Sequence, residues 1–215
     1  MIRASFMGAI AVGLVAVTGV GAWAGAPTDQ VREYTEAVVK VLEDPTLKAD
    51  DKKPERRAAV RKIATEVFDV QETARRALGP HWQQRSPQER QEFVQLFADL
   101  LEQTYISKID LFGGERLKFT DEKVDGDNAV VRAKVLTKQQ TEVPVEARML
   151  RKGDRWLIYD ILIANMSLIS SYRSQFDRVI RTASYAELMK RLQNRIELLN
   201  GAGTNAPLAT APVKR

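Results

Sequence analysis

One ionisable residue sits inside a long apolar run: Asp160, in Trp156–Ile163 (WLIYDILI). Tyr159 stands beside it, and Arg173 follows on the next helical stretch. A carboxylate buried in such a run needs a partner, because an isolated charge is costly to desolvate. Two readings fit. Asp160 and Arg173 form a structural tie between a strand and a helix. Alternatively, Asp160 is the general base of a small cone-shaped isomerase or hydrolase, assisted by Tyr159 or Tyr172. The tie is the simpler reading, since no second acid or oxyanion group is identifiable.

Other reactive residue types are scarce. His81 is the single histidine and lies in a Gly79-Pro80-His81-Trp82 connector between helices, a surface position. There is no cysteine, which excludes disulfides, thiolate metal sites and cysteine nucleophiles. A Gly-rich phosphate loop and an HExxH motif are both missing from the sequence. No metal and no cofactor are expected, and binding is favoured over catalysis.

The stretch after Asp160 organises the chain. Trp156–Ile163 reads as a buried strand, Asn165–Ser167 as a polar joint, and Leu168, Tyr172, Phe176 and Ile180 as one face of a helix. Upstream, Pro27 and Thr28 open a helix that Asp44-Pro45 ends, because the residue before proline avoids the helical region. A second helix runs from about Pro54 to Phe68. Asp69-Val70-Gln71-Glu72 caps a short third one, stopped at Leu78-Gly79-Pro80. Ser86-Pro87-Gln88-Glu89 is the clearest helix start, with serine capping and glutamate reaching back. That helix continues to about Ile109 and carries Phe93, Phe97, Leu100, Leu101 and Tyr105 at helical spacing.

Gly113-Gly114 breaks the helical pattern, and four alternating segments follow. They are Arg116–Asp121, Ala129–Gln139, Thr141–Arg151 and Arg155–Ile163, joined by turn signals at Asp125-Gly126-Asp127 and Lys152-Gly153-Asp154. Helices, then a meander, then helices imply an α+β fold: a curved antiparallel sheet of about four strands with N-terminal and C-terminal helices. Small residues on the inner face (Ala129, Ala133, Ala147) leave volume, which a curved sheet can enclose as an apolar cavity or closely packed helices can fill. Ser184-Tyr185-Ala186-Glu187 opens a last helix.

Composition sets the outer bounds. Hydrophobic residues are 44% and charged residues 28% of the 215, a globular balance that supports one domain with a sizeable core. Net charge is +5, with bases and acids interleaved rather than striped, so no nucleic-acid footprint is present. The small excess suits transient contact with an anionic membrane surface or an acidic partner. Residues 1–24 read as a signal peptide: Arg3, an apolar run from Phe6 to Val20, and an Ala22-Trp23-Ala24 cleavage site. The expected organisation is a leader at 1–24, a binding domain at 25–200 and a disordered tail at 201–215.

The central residues also carry a resemblance. Trp156, Asp160, Ser167-Leu168, Tyr172-Arg173-Ser174-Gln175-Phe176 and Ile180 resemble the signature of the MlaC family, also called the toluene-tolerance auxiliary family. Trp82, Ser86, Glu89, Arg90 and Phe93, continued by Phe97, Leu100 and Tyr105, look like the family's upstream segment. The resemblance implies a nuclear-transport-factor-2-like domain with extra helices. It implies a periplasmic phospholipid carrier working between an outer-membrane lipoprotein complex and the substrate-binding protein of an inner-membrane ABC transporter. Lipid tails would lie in the cavity and the head group at its mouth. The sequence departs from the family at Ala164-Asn165, where a Glu-Gly pair is expected. A carrier of another lipid, such as a hopanoid, therefore stays open.

A carrier site needs apolar walls more than polar contacts. Burying a chain of about 16 carbons gains on the order of 12 kcal/mol before entropy costs. The candidate walls are Phe97, Leu101 and Tyr105 on the long helix, and Val131, Val145, Ala147 and Met149 on the sheet. Ile161, Ile163, Met166, Leu168, Ile169 and Tyr172 complete them from the central stretch. Strand alternation allows either Trp156 and Ile158 or Ile161 and Ile163 to face inward. The second pair is the choice made here, which puts Asp160 on the other strand face.

Overall fold

A computed structural model describes residues 26–106, 114–137 and 141–201. The expected signal peptide and the tail beyond Gly201 lie outside these residues. Helices come first: α1 (Pro27–Glu43), α2 (Lys53–Val67), α3 (Val70–Leu78) and α4 (Pro87–Tyr105). Strands β1 (Arg116–Asp125), β2 (Asn128–Leu136), β3 (Glu142–Lys152), β4 (Arg155–Ile163) and β5 (Met166–Ser167) follow. Helices α5 (Leu168–Thr182) and α6 (Tyr185–Gly201) close the described chain.

Side chains written into the sequence set the helix starts. Asp69 Oδ1 accepts from Glu72 N at 3.0 Å to begin α3. At α4 the capping box is complete: Glu89 N donates to Ser86 Oγ at 3.2 Å, and Ser86 N donates to Glu89 Oε2 at 2.8 Å. Ser184 Oγ accepts from Glu187 N at 3.1 Å ahead of α6. Gly79 ends α3 at φ +58°, a conformation other residues adopt only with strain.

The sheet has five antiparallel strands in chain order, β1-β2-β3-β4-β5. The fifth strand is the stretch read from sequence as a polar joint. Ala164 and Asn165 both take positive φ, +49° and +65°, and pair Ile163 with Met166 across a two-residue turn. Positive φ at both central positions matches the twist of a hairpin. The Ala164-Asn165 departure therefore builds a tight turn.

The register shifts twice. One shift falls between Phe119 and Asp121 in β1, the other opposite Arg148 and Met149, where Tyr159 in β4 has no partner. Helix α3 takes over the backbone there: Asp69 N donates to Ile158 O at 2.9 Å, and Thr73 Oγ1 to Tyr159 O at 3.1 Å. This bulge settles the strand alternation. Met149 faces Ile158, Ala147 faces Ile161 and Val145 faces Ile163, so all three isoleucines share the inner face. The expected choice between two pairs is corrected by one extra residue.

Apolar side chains gather in two clusters. The first packs Phe93, Phe97, Leu100, Ile169, Phe176, Leu188 and Leu192 from α4, α5 and α6 against Ala74, Ala77 and Leu78 of α3. The second packs Val31 of α1 and Val67 of α2 on the inner sheet face at Ala129, Val131, Ala147, Met149, Trp156 and Ile158.

Ala164 is an L-residue held in the left-handed region, which costs roughly 1–2 kcal/mol. Ala164→Gly should raise stability, net of glycine's extra chain entropy, by about 0.5–1 kcal/mol. Urea denaturation of the two proteins checks this; an unchanged or lower midpoint would show that the turn carries no strain.

Candidate functional site

Asp160 is 5% exposed, and its carboxylate is fully engaged. Oδ2 accepts from Ser167 Oγ at 2.6 Å and Oδ1 from the Ile169 backbone N–H at 3.1 Å. Ser167 in turn caps α5 by accepting from Ser170 N at 2.9 Å. A carboxylate at a helix N-terminus is favoured by the free N–H groups and the helix dipole. Arg148 Nη1 stands 3.9 Å from Oδ2.

The tie between β4 and α5 therefore exists, but Arg173 has no part in it. Arg173 Nε donates instead to Arg76 O at 2.8 Å, and its stem lies against Gly79. Arg173 points from α5 toward α3, whereas Asp160 needs donors at the first turn of α5. The assignment of Arg173 as partner of Asp160 is corrected on this ground.

Polar residues of the outer sheet face form a charge relay that ends at Asp160. Arg132 bridges Asp121 at 2.5 Å and Glu146 at 3.0 Å, and Glu146 holds Arg148 Nε at 3.0 Å. Each pair is part-exposed and screened by solvent, so it contributes little alone.

The residues expected to wall one cavity fall into two places. Phe97, Leu101, Ile169 and Tyr172 belong to the helical cluster. There Phe97 stacks on Phe93 at 5.7 Å and meets Tyr172 and Phe176 edge-on at 5.0 and 5.4 Å. These contacts fill the helical core. Tyr105 is exposed at the end of α4, near Tyr172; burial pushes both phenols above their usual pKa. Val131, Ala147, Met149 and Ile161 lie on the inner sheet face, in or against the second cluster. Val145 continues that face beside Ala133 and Ile163. Ile163 and Met166 stand out at 52% and 71% exposure, and Leu168 is half-buried.

A hollow of about 740 Å³ lies between α1 and β1. Its size falls within the about 300–1,000 Å³ of small-molecule sites. Val39, Leu117 and Phe119 give it an apolar side, while Arg32, Lys40, Glu36 and Glu43 give it a charged rim. Arg32 lies over the Phe119 ring at 4.7 Å, and Arg116 Nη2 bridges Glu43 Oε1 at 2.7 Å. Leu117 and Phe119 pair with Val135 and Ala133 and so share a sheet face with them. Sequence reasoning missed Val39, Leu117 and Phe119. The alternation in Arg116-Leu117-Lys118-Phe119-Thr120 was the available signal. Among the described residues no cluster of metal-ligating side chains occurs, and no helix is long and apolar enough to cross a membrane.

The profile of the MlaC protein family matches residues 32–194. This chain belongs to the MlaC family. An MlaC binding protein of an intermembrane phospholipid transport system, from Haemophilus influenzae, is 22% identical over 142 residues. That match covers 64% of this chain and 66% of the relative, just under two thirds of its length. A solved Ralstonia solanacearum phospholipid-binding protein, in complex with a phospholipid, aligns with a TM-score of 0.70 at 23% identity. It covers 81% of this MlaC-family chain and 99% of the other, and it establishes a common fold.

Asp160→Ala removes one acceptor from two donors at the start of α5. Hydrogen bonds to a charged group predict a loss of about 2–3 kcal/mol. Arg173→Ala should cost less, about 1 kcal/mol, as it gives up a single exposed bond. Chemical denaturation of both variants checks the order; a larger loss at Arg173 would return it to the tie.

Proposed function

We propose that this MlaC-family chain is a periplasmic phospholipid carrier. The observation that carries the reading is the hollow between α1 and β1, with its charged rim and its apolar side at Val39, Leu117 and Phe119. The acyl chain is proposed to run from this hollow onto the sheet face of Ala133, Val145 and Ile161, which joins Phe119 through the strand register. Family membership and the phospholipids bound or moved by the two relatives support the same reading. The tail site proposed here is the sheet-face half of the expected wall, with Val39, Leu117 and Phe119 added. Phe97, Leu101, Ile169 and Tyr172 serve as core beneath α5.

Export by the leader, and exchange of lipid between an outer-membrane lipoprotein complex and an inner-membrane transporter's substrate-binding protein, belong to the same proposal. The enzyme alternative has no geometric support. Asp160 is buried and held by Ser167 and Ile169, Tyr159 lies under the Arg76 guanidinium at 3.8 Å, and Tyr172 packs on Phe97. A general base must reach the proton it removes.

Native mass spectrometry of protein purified without detergent should detect bound phospholipid. An empty protein that also fails to extract lipid from liposomes would sink the proposal. Leu117→Asp places a charge on the apolar side of the hollow at a half-exposed position. It should lower lipid occupancy at least tenfold while stability falls by less than about 1.5 kcal/mol. Unchanged occupancy would move the tail site elsewhere.

A further inference from the structure

Helix α1 carries Arg32, Glu36 and Lys40 one turn apart, all three bordering the hollow. Side chains four apart on a helix stand about 5–6 Å from one another at Cβ and bridge readily when their charges are opposite. Four arginine–acid pairs of this spacing close in the molecule: Glu72–Arg76 at 2.6 Å, Arg85–Glu89 at 3.2 Å, Asp177–Arg181 at 3.6 Å and Glu187–Arg191 at 2.7 Å. Arg32 and Glu36 do not. The Arg32 guanidinium lies over the Phe119 ring instead, and Glu36 bridges no cation among the described residues.

The other charges of the hollow are engaged. Glu43 bridges Arg116, Asp44 accepts from Thr46 N at 2.8 Å and is the acid that Lys40 acts on, and Glu115 has a partner of its own. Among its described residues the hollow thus offers a separated cation and anion, a helical turn apart, beside the apolar side chains of Val39, Leu117 and Phe119.

That separation selects a ligand. A guanidinium suits a phosphodiester, which it can meet with two parallel hydrogen bonds. The carboxylate beside it repels a second anion and needs a cation to face. An ammonium two carbons beyond the phosphate ester supplies that cation and donates hydrogen bonds as well. A glycerol head group brings no positive charge. A choline head group brings one that cannot donate and that favours an open aromatic face, and the Phe119 face already carries Arg32.

We propose that the hollow takes the head group of an ethanolamine phospholipid, with Arg32 on the phosphate and Glu36 on the ammonium. The proposal rests on the carrier reading and names the lipid class that its site selects.

The test titrates short-chain, water-soluble ethanolamine, glycerol and choline phospholipids into the full mature chain by calorimetry, below the concentration at which they form micelles. The ethanolamine lipid should bind about tenfold tighter than the other two. Glu36→Gln keeps the shape and removes the charge, so the preference over the glycerol lipid should fall to about twofold or less. Arg32→Gln should weaken all three lipids about tenfold and leave their order. Glu33→Gln, on α1 but outside the lining of the hollow, changes net charge by the same amount and should leave the preference intact. All three positions are exposed, so the fold is retained, which thermal unfolding checks. Lipids bound without preference by the wild type overturn the assignment. So do an unaltered preference in Glu36→Gln, an equal loss in Glu33→Gln, or unchanged affinities in Arg32→Gln. Glycerophosphoethanolamine, which has no tails, should not compete; effective competition would make this a site for a soluble head group and overturn the lipid assignment. Binding of none of the three lipids overturns the carrier reading separately.

Discussion

The extra residue in β4 is the constraint on which the rest of the structure depends. At Tyr159 the ladder with β3 skips one position, and the freed carbonyls of Ile158 and Tyr159 accept from Asp69 and Thr73. The skip turns Ile161 onto the same face as Ile158 and Asp160 onto the other. One residue therefore docks α3, completes the apolar face and aims a carboxylate at the start of α5. A regular β4 would leave an acid or an isoleucine on the wrong side, because a one-residue slip reverses every side chain beyond it.

That arrangement divides the molecule into two apolar clusters with different duties. The helical cluster is closed by aromatic contacts: Phe93, Phe97, Tyr172 and Phe176 touch edge-on or stacked, each pair worth about 0.5–1.5 kcal/mol beyond burial. The sheet cluster gathers Ala129, Val131, Ala147, Met149, Trp156 and Ile158 under Val31 and Val67, with mostly aliphatic side chains in place of stacked rings.

Much of the fold was legible because its signals are local. Ser86, Glu89, Asp69 and Gly79 mark helix ends through their own side chains or φ, and those ends stand where the sequence put them. The antiparallel meander followed from alternation and glycine turns. The bulge was not legible, since nothing in Leu157-Ile158-Tyr159-Asp160 says which residue lacks a partner; α3, far off in sequence, decides it. The partner of Asp160 was missed for a related reason. A charge search looks for an arginine, whereas a backbone N–H at a helix start does the same work and leaves no mark in composition. The site residues divided on the same line. Phe97 and Tyr172 have the spacing of a wall and the contacts of a core, and only the second face of each helix distinguishes them.

Helix α1 borders the hollow and is anchored differently along its length. Its N-terminal half is pinned: Gln30 Oε1 accepts from Trp156 N at 2.8 Å, Thr28 N donates to Glu122 at 2.7 Å, and Val31 is buried in the sheet cluster. Its C-terminal half borders the hollow, where Arg116 and Glu43 bridge in a largely exposed pair. Val38, Val41 and Leu42 are part-buried in that half, and α1 packs against α2, so the helix covers the hollow along its whole length. A carrier must cover a tail without trapping it, and here the cover proposed for the tail is a helix whose side toward the hollow is largely charged and whose other contacts are apolar.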